Sequence, residues 1–237
     1  MPISVLSEVE QGHAVVTGSS SGIGRAVAER LLALGWRVTG IDRAETGPTH
    51  PAYTHLCLDL GDLSAIRTQL GALAADALVH AAGFMRVGRL ADLDPQDGAL
   101  MWTLHVQAAT ALTQALVPHM QRQGRGRVVY LGSRVSQGFP GRGQYAAVKA
   151  ALVGMARSWA MELAPDGVTV NVVSPAATDT AMTRDPARAA SQPVLPPIGR
   201  LITAGEIADL VAYLLSPSAA ALTGQEITLC GGASLPH

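Results

Sequence analysis

Apolar residues fall into short β-branched runs separated by longer stretches with apolar positions at three- and four-residue spacing. The runs are His13–Thr17 (HAVVT), Trp36–Ile41, Ala52–Leu58, Ala77–His80 (ALVH), Arg127–Leu131 (RVVYL), Val168–Val173 (VTVNVV) and Glu226–Leu229. Runs this short and this continuously apolar predict strands covered on both faces. Between them, Ile23–Leu34, Leu63–Ala75, Pro95–Met120, Gln144–Leu163 and Ala204–Leu215 carry a helical period. Such alternation predicts right-handed βαβ units and an α/β fold, a doubly wound parallel sheet with helices on both faces. No repeat or linker divides the chain, so residues 1–237 read as a single domain. The irregular stretch RDPARAASQPVLPP at 184–197 predicts a short substrate lid around 182–198.

From Gly98 to Gln121 there is no Asp, Glu, Lys or Arg. His105, Gln107, Pro118 and several threonines still interrupt this stretch, so it predicts a helix buried by protein, not a membrane span. A helix so apolar is a candidate surface for a second subunit. The N-terminus has Glu8 and Glu10 and no basic start, unlike a secretory signal.

Composition narrows the function classes. With 48% hydrophobic and 15% charged residues, the chain has enough apolar material for a large core. Its net charge of -1, with no basic block, argues against nucleic acid or an anionic membrane as partner. Two cysteines, Cys57 and Cys230, give no disulfide framework and no metal site, and place the chain in the cytoplasm.

The turn Thr17-Gly18-Ser19-Ser20-Ser21-Gly22-Ile23-Gly24 joins the first strand to its helix. Glycines let the backbone approach a ligand closely, and the helix N-terminus offers free N–H groups to a pyrophosphate. The spacing is not the common G-x-G-x-x-G, and a plain tight turn with an N-cap serine would look similar. Asp42 ends the second strand about 20 residues on, where a carboxylate accepts hydrogen bonds from a ribose. A carboxylate there repels a 2′-phosphate, so NAD is favoured over NADP; Arg43 beside it keeps NADP open. Asp59 and Leu60, after the third strand, are further candidates for adenine contact.

Tyr145 and Lys149 (YAAVK) stand one helical turn apart and so share a face. An ammonium beside a phenol favours the phenolate and tunes it to exchange a proton with an alcohol or ketone. Ser133, after the fifth strand, is placed to hydrogen-bond the same substrate oxygen. The chain carries 17 Lys plus Arg, and Lys149 is the only lysine. Arginine supplies the ordinary surface charge, and a planar guanidinium cannot replace a compact ammonium of adjustable pKa.

Taken together, TGSSSGIG at 17–24, AAG at 81–83, Ser133, YAAVK at 145–149 and NVVSP at 171–175 resemble the short-chain dehydrogenase/reductase family. The resemblance implies a Rossmann-like sheet, a nicotinamide cofactor, an alcohol or ketone substrate, and a homodimer or homotetramer. It implies that Tyr145 is the acid/base, that Lys149 holds the nicotinamide ribose, and that Ser133 fixes the substrate oxygen. Cofactor contacts are implied at Ala81, Ala82, Gly83, Pro175, Thr178 and Thr180. The chain departs from the family pattern at His80, Ala81, Ala176 and His105, the last standing where the family has a proton-relay asparagine. VTGIDRA, LVHAAGFMRVG and NVVSPAATDT are locally similar to 2,3-dihydro-2,3-dihydroxybenzoate dehydrogenases, which implies a cyclic alcohol or dihydrodiol. A non-catalytic dinucleotide sensor and a 3-oxoacyl-carrier-protein reductase remain the alternatives.

Overall fold

In the computed structural model, residues 12–180, 183 and 194–235 are described. The strands are β1 (His13–Thr17), β2 (Arg37–Asp42), β3 (Tyr53–Cys57), β4 (Ala77–His80), β5 (Gly126–Leu131), β6 (Val168–Pro175) and β7 (Glu226–Leu229). They form one sheet in the order β3-β2-β1-β4-β5-β6-β7, with every pair parallel. Every residue of β1, β4, β5 and β6 is buried, which is why these strands read as continuous apolar runs.

Helices cover both faces. α1 (Gly22–Ala33) and α6 (Ala204–Leu215) pack on one, and Val27, Leu31, Ile207 and Val211 are fully buried against Val16 and Val79. α2 (Leu63–Leu70), α4 (Ala108–Gln123) and α5 (Gly143–Leu163) pack on the other, around Ile66, Leu112, Leu116 and Leu152. The chain is thus a single domain with a seven-stranded Rossmann-like sheet between helical layers. Among the described residues, no helix is long and apolar enough to cross a membrane.

Two elements differ from the sequence expectation. α2 stops at Leu70 with Gly71 as its C-cap, so 71–75 is not helical. The single helix expected over 95–120 is α3 (Pro95–Trp102), one π turn at Thr103–Gln107, and α4. Ala108 N–H bonds to Thr103 C=O, five residues back, which inserts an extra residue into the turn. His105 lies in that turn.

The chain moves outward from β1 through β2 to β3, then returns to the far side of β1 with β4. Connections therefore leave in opposite directions from the C-terminal ends of β1 and β4. That divergence opens a crevice where ligands bind in open α/β sheets.

Candidate active site

A cleft of about 800 Å³ lies over these strand ends. Gly18 and Gly22 have φ of 68° and 52°, a region that side chains disfavour. A Cβ on Gly18 would come within 3.0 Å of the Ala82 backbone, and one on Gly24 within 2.2 Å of the Gly18 carbonyl oxygen. The turn is therefore folded onto itself and onto the loop after β4. Ser21 holds the N-cap position of α1 without a side-chain hydrogen bond to the helix, which leaves the first-turn N–H groups uncapped at the cleft. This is a cradle suited to a phosphate.

Gly18, Ser21, Gly22 and Ile23 line the cleft; Ser20 and Gly24 do not. Ser20 donates its N–H to Asp42 Oδ2 (3.1 Å) and its hydroxyl to the Thr46 carbonyl (2.6 Å). Asp42 Oδ1 accepts the Ala44 N–H at 3.0 Å. Both carboxylate oxygens are thus held by backbone, and Asp42 is fixed at the cleft edge with Arg43, Asp59 and Leu60.

Thr17, the last residue of β1, ties the next wall together. Its hydroxyl oxygen accepts the N–H groups of Ala81 and Ala82, both at 3.0 Å, and donates to His80 Nδ1 at 2.9 Å. His80 Nε2 in turn donates to the Leu104 carbonyl at 3.1 Å. These bonds require the neutral imidazole, and burial pushes His80 down to about 3. The network holds Ala81, Ala82 and Gly83 along the cleft, which Pro175 at the end of β6 and Thr178 and Thr180 beyond it also line. Thr178 is anchored by its own hydroxyl, which donates to the Ala176 carbonyl at 3.0 Å.

Ser133, Tyr145, Lys149 and His105 line the remaining wall together. Ser133 accepts the Val135 N–H at 3.2 Å, which sets its hydroxyl at the end of β5. Lys149 is 4% exposed, and its ammonium donates to the Leu131 carbonyl at 2.6 Å. Burial pushes its amine down to about 7. Lys149 Nζ lies 5.6 Å from the centre of the Tyr145 ring. The His105 ring meets Tyr145 edge-on, with centres 5.8 Å apart. His105 Nε2 donates to the Phe84 carbonyl at 2.9 Å, while Nδ1 is buried with no hydrogen-bond partner among the described residues. Burial and nearby Lys149 hold His105 well below the usual histidine range, so Nδ1 is a bare acceptor.

The family model described as enoyl-(acyl carrier protein) reductase matches residues 18–234. A solved short-chain dehydrogenase/reductase family protein superimposes with a TM-score of 0.88 at 31% identity, over 95% of this chain and 98% of that one. The chain belongs to the short-chain dehydrogenase/reductase family. It is an oxidoreductase of that kind, and the family binds nicotinamide cofactors. Among its relatives is 3-oxoacyl-(acyl-carrier-protein) reductase of Escherichia coli (strain K12), 36% identical over 92% of this chain and 96% of that protein. Another is 2,3-dihydro-2,3-dihydroxybenzoate dehydrogenase of the same organism, 34% identical over 93% of this chain and 96% of that protein.

Within this short-chain dehydrogenase, the departures from the family pattern have physical accounts. His80 serves as a hydrogen-bonded strut, joining the ends of β1 and β4 to the π turn. His105 sits so close to Gly83 that a Cβ there would lie 2.2 Å from its Cε1. Ala176 adopts no positive φ, so its side chain strains no backbone there. Thr17 is the organising residue that sequence reasoning missed; its one signal is a buried hydroxyl ending β1 just before the glycine turn. Of the expected lid over 182–198, Thr183 and 194–198 are among the described residues, and Thr183 and Val194 line the cleft. The rest of it lies outside them. Among the described residues, no group of three or more His, Cys, Asp or Glu could hold a metal ion.

Proposed function

We propose that this enzyme moves a hydride between NAD(H) and a secondary alcohol or ketone, a cyclic alcohol or dihydrodiol in particular. The observation that carries this reading is that Ser133, Tyr145 and Lys149 line the same cleft as the uncapped N-terminus of α1. Gly18, Ser21, Gly22 and Ile23 would take the pyrophosphate and Asp42 the adenosine ribose. Asp59 and Leu60 would flank adenine, and Ala81–Gly83 with Pro175, Thr178 and Thr180 would border the nicotinamide. Lys149 would hold the nicotinamide ribose. The bound dinucleotide supplies the carbon that accepts or gives the hydride.

In the oxidising direction Tyr145, as the phenolate, would take the substrate's O–H proton while the C–H hydrogen would leave as hydride to a bound nicotinamide, so that the alcohol becomes a ketone. Ser133 orients the reacting oxygen. Lys149 favours the phenolate when it carries charge. Any part His105 takes in a proton relay would run through its neutral ring, because burial and nearby Lys149 disfavour the imidazolium. The reading of NAD rests on Asp42, whose carboxylate, held by the Ser20 and Ala44 N–H groups, would repel a 2′-phosphate on the adenosine ribose. We place the enzyme in the cytoplasm as a homodimer or homotetramer.

Tyr145→Phe tests the assignment: turnover should fall by about 10²–10⁴-fold while NADH binding is retained. Unchanged turnover would exclude Tyr145 as the proton carrier. A second reading, reduction of a 3-oxoacyl-carrier-protein, is favoured by the likeness to the reductase above. Efficient turnover of such a thioester with NADPH, and none of cyclic ketones with NADH, would select it.

A further inference from the structure

The charges lining the cleft are unevenly placed. Its only acidic lining residues among those described are Asp42 and Asp59, at the ends of β2 and β3. Past Tyr145, at the other end, the lining charges are Arg86, Arg134 and Arg142. The chain has only 2 phenylalanines, and both line this same end with guanidinium groups against them. Arg86 Cζ lies 5.0 Å from the centre of the Phe84 ring. Arg142 and Arg134 lie 4.4 Å and 6.0 Å from that of Phe139.

The two loops that carry these residues are joined. Gly88 pairs with Arg142 in a parallel bridge, and its N–H bonds to the Gly141 carbonyl at 2.9 Å. The loops that carry Arg86 and Arg142 therefore form one wall of the cleft. Arg142 is 9% exposed and lines the cleft. Arg134 donates to the Ala233 carbonyl at 3.1 Å, and Arg86 pairs loosely with Asp97 at 3.6 Å. A guanidinium has five N–H donors, so each of those two keeps donors beyond these contacts. Beside this wall Met85, Met101, Val135 and Val148 pack around Tyr145 as an apolar cluster.

We infer that this wall is a subsite for a carboxylate, and that the substrate is a carboxylated cyclic alcohol or ketone. The inference rests on the dehydrogenase reading above. Arginine forks match a carboxylate in two-point geometry, and the phenyl faces beside them complement a ring. Arg86 is exposed at the rim, where an acidic carrier protein could meet it, whereas Arg142 is enclosed and within reach of a small carboxylate only.

The test uses 3-oxocyclohexane-1-carboxylate and its methyl ester with NADH, comparing kcat/KM. Hydrogen bonds to a charged group predict a preference for the acid of about 10–100-fold, reduced about tenfold in Arg134→Gln and in Arg142→Gln. An ester used as well as the acid, or a ratio unmoved in both variants, overturns the inference. Should Arg142→Gln fail to fold, Arg134→Gln decides. If neither ketone turns over, the dehydrogenase reading fails for this substrate class, and calorimetry on the enzyme–NADH complex still decides the subsite. Benzoate binding about tenfold tighter than benzamide, lost in Arg134→Gln, supports it. Equal binding of the two, or of neither, overturns it.

Discussion

Replacing Lys149 with methionine should remove the pH dependence of one part of this protein's stability. Lys149 is buried in the second turn of α5, its amine bonded to the Leu131 carbonyl and brought down from 10.5 to about 7 by burial. Below pH 7 the folded and unfolded chains both carry its proton, so the penalty of burying the charge stands in full. Between pH 7 and 10.5 the unfolded chain still holds a proton that the folded chain has released. The native state therefore gains stability as pH rises through that window. At pH 9, two pH units above the folded value, the gain is about 3 kcal/mol relative to pH 6. Lys149→Met keeps most of the side-chain volume and has no such term. Urea or thermal unfolding of both proteins at pH 6, 7.5 and 9 isolates the effect, because other titrating groups are common to both. His80 and His105 stay neutral over this range in the parent. The melting temperature of the parent should rise relative to the variant by roughly 5–10 °C from pH 6 to 9. A constant gap between the two proteins would show that the amine remains charged inside the fold, and would remove the basis for calling it a tunable group.

Gly83→Ala drives a methyl into the His105 ring and should destabilise by about 1–3 kcal/mol; His105→Ala in the same chain should recover most of it, as unfolding measurements will show. Thr17→Val strips the acceptor from the Ala81 and Ala82 N–H groups and the donor from His80, with a loss of about 2–3 kcal/mol and weaker dinucleotide binding. Thr17→Ser should retain both properties, and equal behaviour of the two variants would deny the hydroxyl its role. Asp42→Ala should lower the ratio of NADH to NADPH kcat/KM by at least about tenfold, since the repelling carboxylate is gone; an unchanged ratio would locate cofactor choice elsewhere.

Much of this molecule was legible in the order of its residues. Runs such as ALVH and VTVNVV have little choice but a doubly covered parallel sheet, because their apolar side chains point both ways. Tyr145 and Lys149 had to share a face once their segment was helical, and a glycine turn after the first strand had to open at a helix N-terminus. What stayed hidden depends on groups far apart in the chain. Thr17 and His80 are 63 residues apart and meet only because β4 lies beside β1. The π turn that lodges His105 against Gly83, and the union of the Phe84 and Phe139 loops into one arginine-bearing wall, likewise follow from strand order and packing. Ser20 and Gly24 belong to the same local motif as Ser21 and Gly22, yet the way the turn folds on Asp42 and Gly18 keeps them out of the cleft. Periodicity and local chemistry are properties of neighbouring residues, so a linear chain displays them; the shape of a cleft is set by which distant loops are brought together, and only the assembled sheet decides that.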